Sequence, residues 1–205
     1  MKLSKRTIAK YLAGLTATLW LSLPVFAYEG GDLILRGGFH NINPQSDNNP
    51  VVEVDSATMF TFNGTYMIDP HWGVELLASL PFEHDISLNG GPKVGSTKHL
   101  PPTLSLQYHF IPEGKIQPYV GLGVNWTIFF DEDTKGPLAG ANLKLDDSVG
   151  LAAQLGVDIA LNENWFINAD VRYMDIETDA QVDGASIGTV QIDPLIAGVS
   201  VGFRF

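Results

Sequence analysis

From residue 33 onwards, apolar and polar side chains alternate in short blocks, the period-two signature of strands that show different chemistry on their two faces. Eight blocks emerge: Leu33 to Ile42, Thr58 to Met67, Trp72 to Leu80, Thr103 to Phe110, Gln117 to Phe129, Val149 to Leu161, Trp165 to Ile176, and the closing run Leu195 to Phe205. In the closing run Leu195, Ala197, Val199, Val201, Phe203 and Phe205 share one face, and Ile196, Gly198, Ser200, Gly202 and Arg204 the other. The same phasing sets Trp72, Val74, Leu76, Ala78 and Leu80 against Gly73, Glu75, Leu77 and Ser79.

The connections alternate in length. Ile68 to His71, Ile111 to Lys115 and Asn162 to Asn164 are tight, whereas 43–57, 81–102, 130–148 and 177–191 are long. Short turns on one side and long loops on the other describe an up-and-down barrel. The regular bulky face cannot line its interior, because Leu, Val and aromatic side chains from eight strands overfill so narrow a lumen. The expectation is an all-β, eight-stranded antiparallel up-and-down transmembrane β-barrel, its bulky face in lipid, with short periplasmic turns and long extracellular loops.

The amino end is compatible with export. Lys2, Lys5, Arg6 and Lys10 precede the apolar run Tyr11 to Leu23, and Val25-Phe26-Ala27 offers a cleavage site. The expected organisation is a cleaved signal peptide, 1–27, followed by a single barrel domain, 28–205, in the bacterial outer membrane. The first 27 residues hold four bases and no acid, which leaves eight bases against 23 acids, a net charge of −15. Such acidity argues against nucleic acid as a partner. It is compatible with contact to outer-membrane lipid and lipopolysaccharide. The absence of cysteine removes disulfides, thiolate metal sites and a thiol nucleophile.

Charges on the small-residue face are candidates for the lumen. Arg36, Glu75, Asp158, Asp170, Arg172 and Arg204 form a balanced set on that face, because a lipid-facing charge costs about 2–4 kcal/mol at the midplane. They read either as a structural plug or as part of a transport path. Trp72, Tyr108, Phe110, Trp165, Phe203 and Phe205, with Tyr119, lie near the short-turn ends and are expected to form a lipid-facing aromatic girdle. Trp126, Phe129, Phe130 and Phe82 fall near the opposite rim.

No catalytic set emerges. His84 and Asp85 are successive residues and point to opposite faces of a strand; with His99 and Ser79, Ser87 and Ser96 they make no matched trio or nucleophile elbow. No enzyme, metal or other cofactor is expected. The acidic runs Asp131-Glu132-Asp133 and Asp146-Asp147 read as solvated loop, with oxygen ligation of calcium the alternative.

Several separate blocks carry a family resemblance: Trp72-Gly73-Val74-Glu75-Leu76-Leu77-Ala78, Pro81-Phe82-Glu83-His84-Asp85-Ile86, Leu100-Pro101-Pro102-Thr103-Leu104, Pro118-Tyr119-Val120-Gly121-Leu122-Gly123, Arg172-Tyr173-Met174-Asp175-Ile176 and Phe203-Arg204-Phe205. In this order they resemble the OmpW family of small outer-membrane proteins. The resemblance implies a narrow, rather apolar channel that accepts small, mostly hydrophobic molecules from outside and releases them sideways through the barrel wall. It also implies insertion by the barrel assembly machinery through the C-terminal strand.

Leu77, inward by phase, is then a candidate constriction or a plain filler of the barrel. Pro81, Pro101 and Pro102 mark either a local opening in the wall or ordinary strand ends, since proline cannot donate to a ladder. The alternative function is a passive structural or adhesive barrel that acts through its loops and that phages or bacteriocins exploit.

Overall fold

The computed structural model describes residues 27–44 and 51–205; the expected signal peptide lies outside the described residues except for Ala27. Fourteen strands are present: β1 (Leu33–Asn43), β2 (Val52–Val54), β3 (Ala57–Met67), β4 (Trp72–Ser79), β5 (Phe82–Leu88), β6 (Lys93–Leu100), β7 (Thr103–His109), β8 (Ile116–Thr134), β9 (Leu143–Leu145), β10 (Ser148–Ala160), β11 (Trp165–Met174), β12 (Glu177–Val182), β13 (Ala185–Gln191) and β14 (Leu195–Arg204).

Eight of them close into a ring in the order β1-β3-β4-β7-β8-β10-β11-β14, every contact antiparallel. Closure runs from Ile34↔Arg204 to Asn43↔Leu195, so the last strand seals against the first and the barrel has no free edge. Alternation explains the two faces. β11 reads exposed and buried in strict alternation, with Trp165, Ile167, Val171 and Tyr173 outward and Phe166, Asn168, Asp170 and Arg172 inward. An exposed apolar wall of this extent is stable only against lipid.

The tight turns are built by side chains as well as backbone. Asp69 Oδ1 accepts from the His71 and Trp72 amides, and Asn162 Oδ1 from the Asn164 and Trp165 amides. Each carboxylate or amide thereby replaces a backbone acceptor in its turn.

Where described, the long connections contain regular strands. A membrane strand needs about 9–11 residues, whereas β8 has 19 and continues outward as far as Thr134. Its outer half pairs with β6, which pairs with β5, which pairs with β2. A separate three-stranded sheet, β9-β12-β13, stands opposite. Its hairpin turns on Asp183-Gly184, both at positive φ (51° and 80°), as a two-residue hairpin whose twist matches its strands requires. The two small sheets face each other across an apolar interior that includes Ile86, Val94, Leu145, Ala180 and Val190. They form a compact sandwich on the outer mouth of the barrel, where the alternation of segment lengths predicted loops alone.

Candidate functional site

The lumen is stratified from the short-turn end outward. At its base Tyr28, just ahead of β1, packs with Ile34, Met67, Ala160 and Phe166 in a buried apolar layer. Phase dictates this layer: Ile34 and Phe166 are the first inward residues of β1 and β11. The Tyr28 hydroxyl donates to Asp158 at 2.7 Å and ties the layer to the charges above.

The charged layer is a continuous network. Arg36 donates Nη2 to Asp158 Oδ2 at 2.6 Å and Nη1 to the Thr65 hydroxyl at 2.9 Å, and its guanidinium lies against the Tyr119 and Phe166 rings. Arg172 donates to Glu75 at 2.7 Å and to Asp170 at 2.5 Å. Gln107 donates to Glu75 at 2.8 Å, and Asn168 donates to Asp158 at 2.7 Å and to the Tyr119 hydroxyl at 3.0 Å. Ser200 donates to Asn168 at 3.3 Å. All eight barrel strands thus contribute at least one side chain. The side chains of Arg36, Glu75, Asp158, Asp170 and Arg172 are at most 3% exposed.

Five of the six charges singled out in the sequence meet here. Arg204 does not. Its partner on β1 is Ile34, at the periplasmic mouth, and its guanidinium reaches Asp32, the Glu163 carbonyl and the Ala27 carbonyl. Present in the network but outside the set singled out in the sequence is His40, whose Nε2 donates to the Asp170 carboxylate at 2.7 Å while Nδ1 lies 2.6 Å from the Thr61 hydroxyl. His40 shares a face with Arg36 four residues earlier, and that spacing is the signal that identifies it. Tyr119 also departs from expectation. It is fully buried in the lumen over Gly156 rather than part of the girdle, because it is in phase with Gly121 and Gln117.

The other girdle aromatics sit on the lipid side in two clusters. Trp72, Tyr108 and Phe110 make successive edge contacts, as do Trp165, Phe203 and Phe205, with ring centroids 4.7–5.2 Å apart.

Above the charges the lumen is lined by apolar side chains. Leu77 points inward, 5% exposed, beside Ile42, Phe82, Met174 and Ile196. The space left there is about 10 Å³, at the lower limit for one water molecule. Pro81, Pro101 and Pro102 flank the same level. The ladder between β4 and β7 stops at Leu77↔Thr103, and pairing resumes in the outer hairpin at Phe82↔His99. Pro101 is buried, and its carbonyl accepts from the Thr103 hydroxyl, while the Pro102 carbonyl accepts from the Trp126 amide. The ladder is therefore interrupted between Ala78–Pro81 and Leu100–Pro102, while Ala78 and Ser79 stay paired with β3 and Leu100 with β8.

Beyond this layer lies the sandwich interior, with a cavity of about 40 Å³ lined by side chains of both small sheets. His84 and His99 are stacked in its lining with ring centroids 4.9 Å apart, and Phe82 and Phe129 pack on His99. Burial pushes the imidazole of His84 below its ordinary range, and burial together with His84 pushes that of His99 down to about 3. Asp85 pairs with Lys93 and not with either imidazole. The acidic residues of the third loop are dispersed: Asp131 pairs with Lys98, Asp146 with Lys144, and Asp147 accepts the Phe129 amide. Asp175, Glu177 and Asp193 are the carboxylates that come together among the described residues.

A closed eight-stranded ring, a lipid-facing apolar wall and a lumen crossed by buried ion pairs under an ordered outer cap describe a small outer-membrane barrel. The OmpW family model matches residues 29–205. The chain belongs to the OmpW family. Outer membrane protein W of Vibrio cholerae is similar, 40% identical over 202 residues that cover 90% of this chain and 93% of the relative. The crystal structure of the outer membrane protein OprG from Pseudomonas aeruginosa is 37% identical and superposes with a TM-score of 0.79, covering 88% of this chain and 99% of that one. A more distant relative, 29% identical over 78% of this chain and 73% of its own length, is the dibenzothiophene metabolism operon protein PahQ of Pseudomonas aeruginosa. As an OmpW-family barrel the protein resides in the bacterial outer membrane, embedded in lipid, and belongs to a family without enzymatic activity.

Proposed function

We propose that this OmpW-family barrel passes small, mostly hydrophobic molecules from the outer surface into the membrane, entering through the apolar sandwich and leaving sideways through the wall. The observation that carries this reading is the stacking of an apolar outer interior directly on a lumen crossed by buried ion pairs. A molecule without hydrogen-bonding groups gains by entering the first layer and loses by entering the second, where it breaks charge pairs and offers nothing in return. Its favourable exit is lateral, towards lipid. The interruption at Pro81 and Pro101-Pro102 lies at the level of Leu77, where the two layers meet, and is the natural place for the wall to part.

The relative named for a dibenzothiophene metabolism operon supports an apolar solute class, since dibenzothiophene is a fused-ring molecule without a charge. Contact with lipopolysaccharide at the outer rim, and with the barrel assembly machinery through β14, belong to the same reading. Planar-bilayer conductance measured beside uptake of a labelled apolar compound tests it. Uptake with no steady ionic conductance supports lateral release. Ohmic conductance indicates a through-pore, and neither signal indicates a passive barrel that works through its loops.

A further inference from the structure

The cavity in the outer sandwich is lined by apolar side chains, two threonines and two imidazoles, and by no charged group. His84 and His99 are 2% and 1% exposed. Buried polar atoms are nearly always hydrogen-bonded, so unpaired ones call for a reason. Three of the four ring nitrogens here have no partner: Nε2 of His84, and both nitrogens of His99. The fourth, Nδ1 of His84, lies 2.5 Å from the Asp55 carbonyl oxygen.

That contact fixes the chemistry on offer. A carbonyl only accepts, so Nδ1 of His84 carries the proton and Nε2 presents a bare lone pair. Depression of both imidazoles keeps them neutral in ordinary conditions. Neutral His99 presents one N–H donor and one acceptor. The pair therefore offers two acceptors and a donor at the edge of an apolar space. An organic ion is a poor complement, because an ammonium or a carboxylate finds no opposite charge in the lining. A hydrocarbon leaves all three groups unpaired. A hydroxyl both donates and accepts.

We infer that His84 and His99 form a recognition point for neutral apolar molecules that carry a single hydroxyl, such as phenols or short alkanols. The point is a specificity determinant within the entry chamber, and it rests on the proposal that this chamber receives apolar solutes. Its cavity of about 40 Å³ holds little more than water, so the facing sheets part to admit a ring. The three-stranded sheet β9-β12-β13 shares no backbone ladder with the barrel sheet and is tied to it by side-chain bonds such as Leu145 N–H to Glu132 and Glu177 N–H to Ser148, which allows such parting.

Phenol and toluene make a matched pair of probes, a hydroxyl against a methyl on the same ring. The full chain in lipid nanodiscs, labelled with nitrogen-15 in histidine, is titrated with each. Phenol, donating to His84 Nε2 and accepting from the His99 N–H, is expected to shift those two ring resonances, and toluene to leave them in place. His84→Phe and His99→Phe are expected to weaken phenol binding by about threefold to tenfold, the range for one lost hydrogen bond, with toluene binding unchanged. Equal responses to the two probes, or no response to phenol, overturn the inference and assign the imidazoles to water only. The wild-type titration needs no variant, so a cap that misfolds on substitution does not obscure the answer. Toluene entry into proteoliposomes separates the two proposals. Entry without phenol preference removes the recognition point alone, whereas absence of entry removes the channel reading, whatever the nitrogen shifts show.

Discussion

Glu75 on β4 and Arg172 on β11 meet at 2.7 Å across the full width of the barrel, four strands apart in either direction around the ring. A contact of this kind holds opposite walls together without any backbone hydrogen bond. Glu75 also faces Arg36 at 3.9 Å and takes the Gln107 amide, so its carboxylate is the hub of the network.

Removing that hub alone leaves Arg172 with only Asp170 and deprives Arg36 of its second anion. Glu75→Leu is expected to destabilise the barrel by about 3–5 kcal/mol, the usual effect of stranding a buried charge. The double variant Glu75→Leu/Arg172→Leu leaves the Arg36–Asp158 ion pair and the His40–Asp170 hydrogen bond, and is expected to cost less than the single change. Urea unfolding in lipid vesicles, followed by the gel-mobility difference between folded and unfolded barrel, measures both. A double variant less stable than Glu75→Leu refutes the pairing.

Gly198 faces the His40 ring, and a Cβ built there lands on the imidazole itself. Gly198→Ala is expected to displace His40 from Asp170 and to cost about 1–3 kcal/mol through overpacking. The same unfolding assay reads this, and a variant as stable as wild type contradicts the close packing. Gly156 beneath Tyr119 and Gly202 beneath Phe166 repeat the device, so at these three positions the missing side chain makes room for a neighbouring ring.

The outer sandwich is expected to loosen in acid. The folded value of His99, about 3, lies below its ordinary 6.5, so the unfolded cap binds the proton more readily. Stability is complete above about pH 6.5 and falls as pH drops towards 3, by up to about 1.4 kcal/mol per unit for this imidazole. His84 shifts in the same direction, with the Asp55 carbonyl and the charges of Asp55 and Asp85 opposing part of it. Hydrogen exchange at pH 7 and 4.5, corrected for intrinsic rates, checks this. Amides of β5 and β6 are expected to lose protection while those of β10 and β11 keep it. Equal protection at both pH values contradicts the prediction.

Pro81→Ala restores a backbone donor where the ladder between β4 and β7 fails. If the wall parts there, the extra hydrogen bond closes it, and uptake of an apolar solute is expected to slow severalfold with stability unchanged or raised. Unchanged uptake assigns Pro81 to strand ending alone.

The barrel was legible in the chain because lipid and lumen impose opposite chemistry on successive residues, and the period of two records both. Phase assigns a side, not a depth. Arg204 and Arg36 share the inward side, yet Arg204 lies opposite Ile34 at the mouth, and His40 holds the position beside Asp170. The outer sandwich was less legible because its pairings join distant segments, β2 with β5 and β9 with β12, and its strands lie in polar, proline-bearing stretches. One local signal was there to find: Asp183-Gly184 between alternating segments marks the β12–β13 hairpin. The imidazole pair required the structure, because only the β5–β6 register brings His84 beside His99.

The most direct test of the account is transfer of a fused-ring apolar fluorophore into vesicles whose outer leaflet is lipopolysaccharide, with and without the protein in the bilayer. Release through the wall predicts faster arrival of the dye in the bilayer of the protein-bearing vesicles, with no dye gained by their aqueous interior. Arrival at the rate of protein-free vesicles, or accumulation in the interior ahead of the bilayer, contradicts it.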